Sequence, residues 1–345
     1  MIYSVTIRLR HKRGTIASLV LALVLSCGCI NHANSDNTLP ERYIIALYGV
    51  NGLGDRGYND GICRGIEKAA AQHRCDTWHL TPGDMDEGRM LLQLLVEEFS
   101  EFGDRNCLIV TADVGYVTPE SLKLIERSTG CRILILESRE SHAGACTVNM
   151  PLYGASWMAG RMAASMDGVS KAGIICARPE YPQLQDAVKG FICGAKGIDA
   201  AMAEIDFAGS DPFDSADLLY RLSPELKKEY QMIFPLCGGS TQGLLSYCRE
   251  NPEASFYTIG IDSDLSRYCE RVPFSIIKNM EDVLFQCVGR WLSKEGLPAH
   301  IEYGMSSGNV EVVVSGSYKT MFPEELIGKL TEEAIEKEKE YESAM

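Results

Sequence analysis

The chain has 345 residues, 46% of them apolar, and its 47 acidic against 33 basic side chains give a formal charge of −14. That balance excludes a nucleic-acid surface and a polybasic membrane contact, both of which need a cationic face. An anionic ligand would need a local cationic pocket.

The first 40 residues read as leader and tether rather than as fold. Arg8, Arg10, Lys12 and Arg13 form a basic head, and Thr15 to Ser26 (TIASLVLALVLS) is an apolar run. The run is too short to span a bilayer as a stable helix and has the size of a secretory h-region. The leader holds four basic and no acidic residues, so the chain without it sits near −18. Ser26 directly before Cys27 looks like a bacterial lipobox, with Cys29 as the alternative acceptor. The expectation is a signal peptide over 1–26, lipidation at Cys27 and a polar, turn-prone tether over 27–40.

From Glu41 onward, short apolar runs alternate with amphipathic stretches. Strands are expected at Tyr43–Tyr48, Thr77–Leu80, Cys107–Thr111 and Arg132–Leu136, and helices at Ile62–Gln72, Met85–Phe99 and Pro119–Ser128. After Cys146–Asn149 the pattern restarts. Tyr153–Ser165 reads as a helix whose Gly154, Ala155, Ala159 and Gly160 permit close packing, followed by strand Ala172–Cys176 and helix Leu184–Ala195. Next come strand Met202–Phe207, helix Ala216–Glu229, strand Met232–Pro235, helix Thr241–Arg249 and strand Phe256–Ile261. Strand Phe274–Ile277, helix Glu281–Leu292, a small strand pair at Ile301–Tyr303 and Val310–Val314, and an acidic helix Pro323–Tyr341 with a solvated charged face complete the chain.

Strands buried on both faces and separated by helices imply βαβ units and parallel sheets. Two successive halves imply an α/β fold of two doubly wound lobes joined by a hinge, with the ligand in the cleft at the carboxyl ends of the strands. The expected division is 41–148 with 279–312 as the N-terminal lobe and 149–278 with 313–345 as the C-terminal lobe.

The 13 cysteines include no CxxC pair and no zinc spacing. Most sit in apolar elements as small hydrophobes. Cys107 and Cys131 each open an expected strand and could bond if those strands are neighbours.

Five strand ends and the loops after them carry the candidate site. Asn51 to Gly61 (NGLGDRGYNDG) is glycine-rich, but it lacks the GxGxxG spacing and the GK[ST] ending of phosphate loops. It offers Asp55, the stacking face of Tyr58 and the amide of Asn59, parts that suit a neutral, planar, hydrogen-bonding ligand. The same residues could equally form a turn and helix cap. Asp113 ends the CLIVT strand and either faces the cleft or caps a helix. Asp262 ends FYTIGI and could accept two hydrogen bonds from a vicinal diol. Lys278 ends the next strand and could donate to a ligand oxygen or pair with Asp262. Gly238 and Gly239 precede a helix whose free amides could take an acceptor.

No aspartate cluster lies within one loop, as a hydrolase metal site would need, and no GxSxG elbow is present, so a binding protein rather than an enzyme is expected, with no cofactor and no metal. On the residues alone, the ligand is a planar, hydrogen-bonding molecule with a diol; a sugar or another small polar molecule, bound for a transporter or for a sensor, stays open.

These landmarks resemble, in order, those of the basic membrane protein (BMP) family of lipoproteins, whose studied members bind purine nucleosides for an ABC transporter. They are Gly54-Asp55-Arg56-Gly57-Tyr58-Asn59, Gly115-Tyr116, Ser156-Trp157-Met158-Ala159-Gly160, Gly190-Phe191-Ile192-Cys193-Gly194, Gly238-Gly239 and Gly260–Asp264. The resemblance implies that Tyr58 stacks on a base, that Asn59 and Asp113 bond its edge, and that Asp262, with Lys278, holds the ribose. It implies a type I periplasmic-binding-protein-like fold, a monomer in the cell envelope, and an ABC permease as partner. Tyr58 stands where the family usually has Phe. Met150-Pro151-Leu152-Tyr153 replaces an acidic pair, and Gly304–Gly308 lacks a lysine that members often carry.

Overall fold

The structure is a computed structural model, and it describes residues 5–6, 42–100, 106–207 and 209–345. Cys27 and the tether over 27–40 lie outside the described residues, as does the leader apart from Val5–Thr6.

The first sheet has seven strands. They are β1 (Val5–Thr6), β2 (Tyr43–Leu47), β3 (Asp76–Thr81), β4 (Cys107–Thr111), β5 (Cys131–Leu136), β6 (Ala145–Asn149) and β13 (His300–Glu302). Their spatial order is β1-β3-β2-β4-β5-β6-β13, all parallel. Period-2 alternation splits β2 between two cores: Ile44, Ala46 and Tyr48 join one face, Ile45 and Leu47 the other. Helices α2 (Met85–Phe99) and α3 (Pro119–Arg127) cover the second face through Leu92, Val96 and Ile125. Helices α1 (Tyr58–His73) and α8 (Met280–Leu292) cover the first through Ile62, Ile66, Val283 and Leu284. Both faces are therefore apolar, as the unbroken hydrophobic runs of these strands require.

The second half begins with α4 (Tyr153–Ala164). It holds β7 (Lys171–Cys176), β8 (Asp199–Met202), β9 (Met232–Leu236) and β10 (Tyr257–Thr258) in a parallel sheet of order β10-β9-β7-β8. Beside it, β11 (Gly260–Asp262), β12 (Phe274–Lys278) and β14 (Val310–Val314) form a smaller sheet. Helix α5 (Pro182–Gly194) lies on α4, while α6 (Ala216–Glu229) and α7 (Thr241–Glu250) cover the far face. A Cβ on Gly160, Gly190 or Gly194 would come within 3.0 Å of the facing helix's backbone, so the contact expected from Gly160 is real and depends on α5 glycines too.

Four expectations change. The strand expected at Met202–Phe207 lies at Asp199–Met202, because the edge of the sheet is set by pairing with Lys171–Ile174 rather than by apolar content. The FYTIGI run breaks at Ile259: Tyr257–Thr258 pairs with β9, and Gly260–Asp262 pairs with β12. The strands near Ile301 and Val310 are not partners, since β13 joins β6 and β14 runs antiparallel to β12. The acidic C-terminal helix, α9 (Glu324–Ser343), is not solvated all along its charges. Glu338 is buried and accepts bonds from the Gly154 and Met305 amides at 3.1 and 3.3 Å. Cys107 and Cys131 are register partners on adjacent strands, and both are free thiols.

Candidate functional site

A cavity of about 770 Å³, its opening to solvent included, lies where the strand ends of the two halves meet. Its polar wall is built from residues at the carboxyl ends of strands: Asp113 after β4, Glu137 after β5, Asp262 closing β11 and Lys278 closing β12.

The loop after β2 shapes one side. Asp55 accepts bonds from the amides of Gly57, Asn59 and Asp60 at 3.0, 2.8 and 3.2 Å and from Asn51 Nδ2 at 3.3 Å. These amides open α1, so Asp55 satisfies the helix's orphan donors from two residues before its N-cap, Gly57. Burial raises its carboxyl to about 6 against the lowering effect of those amides. Asn59 is fully buried: its Oδ1 accepts from the Gly49 amide at 3.1 Å, and its Nδ2 donates to Asn51 Oδ1 and Gly52 O at 3.0 and 2.9 Å. Every polar group of that side chain is used inside the loop, and Asn59 does not line the cavity. The reading of Asn59 as a ligand contact is therefore replaced by a role in holding the loop.

Tyr58 begins α1 and does line the cavity. Its hydroxyl donates to the Ala112 carbonyl at 2.9 Å, fixing the ring, and Lys278 Nζ lies 4.6 Å from the ring centroid. Burial, then the nearby Glu137, Asp113, Asp262 and Asp55, push the phenol well above its usual range.

Asp113 Oδ1 accepts from the Gly115 amide at 2.8 Å and from the Tyr181 hydroxyl at 2.7 Å. The first bond is the expected cap. The second reaches across from the second half, because Tyr181 is the residue directly before α5. Burial raises the Asp113 carboxyl.

Lys278 sits between two carboxylates, 2.6 Å from Glu137 Oε1 and 3.6 Å from Asp262 Oδ1. Burial alone would lower the ammonium, but the two acids raise it above its usual value. Burial in turn raises Asp262 against the pull of Lys278. Glu137 and Asp262 both have left-handed backbones, at φ of 59° and 67°. Such conformations cluster at functional sites when the surroundings hold them. Gln183 on α5 donates to the Glu137 carbonyl at 2.6 Å and so helps hold that turn from across the cleft.

Gly238, at φ 49°, lines the cavity beside Phe213, whereas Gly239 packs against the Phe213 carbonyl and Asn51 and does not line it. Closer to the mouth, Arg56 donates to Gln242 Oε1 at 2.8 Å, accepts at its carbonyl from Ser263 Oγ, and covers the Tyr268 ring at 4.5 Å.

The structure thus brings Asp55, Tyr58, Asp113, Gly238, Asp262 and Lys278 to one cavity, and leaves Asn59 and Gly239 outside it. Sequence reasoning missed Glu137, Tyr181, Gln183 and Phe213. The signal for Glu137 was available: it directly follows the RILIL strand, and a carboxylate just past a strand's carboxyl end is what singled out Asp113. Among the described residues, no group of His, Cys, Asp and Glu is arranged to hold a metal, and no helix is long and apolar enough to cross a membrane.

Two α/β lobes meeting at a cavity at their strand ends define the two-lobed fold of the periplasmic binding proteins. Solved structures share this fold. One is a solute-binding protein of an ABC transporter system from Aeropyrum pernix K1, with a TM-score of 0.67 and 16% identity, covering 87% of this chain and 86% of that one. Another is a transcriptional activator of the comK gene from Bacillus halodurans, with a TM-score of 0.61 and 17% identity over 85% and 96% of the two chains. A third is a sugar transporter from Clostridium phytofermentans, with a TM-score of 0.57 and 18% identity over 80% and 100%. The chain belongs to the Bmp family: the family model, described as ABC transporter substrate-binding protein PnrA-like, matches residues 44–342. It is an extracytoplasmic binding component of an ABC transporter and not an enzyme. No curated protein sequence matches the chain.

Proposed function

We propose that the protein captures a nucleoside, of the purine type, between its lobes and presents it to an ABC permease. The observation that carries this reading is the meeting of a fixed aromatic ring, Tyr58, with the carboxylates of Asp113 and Asp262 around one cavity. Tyr58 stacks on the base. Asp113, whose two protein bonds both fall on Oδ1, offers Oδ2 to the base edge. Asp262 accepts from the ribose diol, and Lys278 holds it in place. Asp55 shapes the loop rather than reaching the ligand. The lobes are 41–148 with 279–312 and 149–278 with 313–345. They close about the hinge when ligand bridges them, by population shift. Cys27 carries the lipid anchor, the protein works as a monomer, and the membrane is met through that anchor alone.

A thermal-shift screen of the purified protein against nucleosides, free bases and sugars tests this, since a bound ligand stabilises by mass action. Purine nucleosides should raise the midpoint more than bases or sugars. A sugar is the second reading, because a cavity rich in acceptors also suits several hydroxyl donors. A sugar that outperforms every nucleoside would replace the first reading by the second.

A further inference from the structure

The charges lining the cavity are lopsided. Among the described residues, Asp55, Asp113, Glu137 and Asp262 line it with Lys278 as the cation. The nearby Arg178 does not line the cavity; one terminal nitrogen pairs with Asp211 at 2.6 Å, and its buried Nε has no partner. Lys278 is spent as well: one side meets Glu137 Oε1, another Asp262, and a third the face of Tyr58. Glu137 stands apart from the other acids. Asp55 and Asp113 have backbone amides to accept from, whereas Glu137 Oε2 is buried with no hydrogen-bond partner, on a side chain only 10% exposed. An acceptor left bare in a cavity wall needs a donor from whatever fills the cavity. Its left-handed backbone, pinned by Gln183, shows that the fold holds it there against a local preference.

We infer that Glu137 is a ligand-facing specificity residue, and that with it the cavity selects a neutral or cationic, donor-rich ligand and rejects anionic ones such as carboxylated or phosphorylated forms. This rests on the reading of the cleft as a ligand site but not on the ligand being a nucleoside. An anion would meet several carboxylates and no unpaired cation in a setting that water screens poorly, where like-charge repulsion is large. A cation or hydroxyl would give Oε2 the partner it lacks.

The test is a size-matched charge series measured by calorimetry: 5′-amino-5′-deoxyadenosine, adenosine and adenosine 5′-carboxylate, with glucosamine, glucose and glucuronate in parallel. In the series that binds, affinity should fall from amine to carboxylate by on the order of 100-fold. Glu137→Gln should cut that gap by about tenfold or more, while Glu137→Asp should keep most of it. A carboxylate that binds the unaltered protein as tightly as its neutral parent overturns the inference, as does an unchanged gap in folded Glu137→Gln. If that variant does not fold, the series on the unaltered protein decides the charge class alone. Binding confined to the sugars, with the charge order intact, removes the nucleoside reading and leaves this inference standing.

Discussion

Tyr181→Phe isolates a single bond across the cleft. The hydroxyl of Tyr181 donates to Asp113 Oδ1 at 2.7 Å, and Asp113 is only 7% exposed. A hydrogen bond to a buried carboxylate contributes about 1.5–3 kcal/mol. Two features place the loss at the lower end. The Gly115 amide still donates to the same oxygen at 2.8 Å, so the carboxylate is not orphaned, and Phe preserves the ring. On the proposed closure, Tyr181 and Asp113 meet only when the lobes are shut, so about 1.5–2 kcal/mol is removed from the closed form. That shifts the closed-to-open ratio by roughly 10–30-fold. The apparent affinity for ligand should fall by the same factor, mainly through faster release. Stopped-flow fluorescence would read the off-rate and small-angle scattering the radius of gyration of the ligand-free protein. An unchanged off-rate together with an unchanged radius would refute the assignment of this bond to closure.

Three further outcomes are expected. Asp262→Asn, chosen because Asn tolerates the left-handed backbone at φ 67° that Ala would strain, should weaken nucleoside binding by about 2–3 kcal/mol, read by calorimetry; full affinity would remove Asp262 from the ligand contacts. Burial raises the Glu338 carboxyl from 4.5 to about 7, so the unfolded chain ionises first as pH rises and stability falls between those values. The loss should total about 3 kcal/mol in denaturant titrations at pH 4.5 and pH 8, and Glu338→Gln should flatten the dependence; a stability that rises over that window would contradict it. Gly194→Ala puts a Cβ into the Trp157 backbone, so α4 and α5 must part, with an expected loss of about 1–3 kcal/mol and a Tm lower by several degrees; an unchanged Tm would mean that the helices give way freely.

What was legible in the sequence divides along physical lines. Strands buried on both faces announce themselves by composition, so YIIALY, CLIVT, RILIL and AGIIC fall where the structure has them. The edge strand Asp199–Met202 is mostly exposed and polar at its start, so its position follows from pairing with Lys171–Ile174, which no local pattern encodes. The split of FYTIGI between two sheets is likewise a tertiary decision. At the site, carboxylates at strand ends were readable because chain topology alone sends them to the cleft. Asn59 was misread because a side chain that closes a loop and one that greets a ligand use the same amide. Tyr181 and Phe213 reach the cavity from loops of the second half, and nothing in their neighbouring residues marks that direction.

The acids of the cleft also bear on the proposed closure, by making a ligand donor part of its energetics. On the proposed closure, Asp113, Asp262 and Glu137 end buried between the lobes, and burial alone raises the carboxyls of the first two. Lys278 offsets part of that cost between Asp262 and Glu137, and Tyr181 part at Asp113. Neither reaches Glu137 Oε2, which stays buried and bare. A buried acceptor without a donor costs about 1–3 kcal/mol, more when it is charged. Closure without ligand therefore carries a residual penalty at the oxygen that a ligand donor would satisfy. The ligand's differential affinity for the closed form then includes relief of that penalty as well as its own contacts, which is what a population shift requires. A lobe interface that satisfied all of its own acceptors would stay shut and capture nothing.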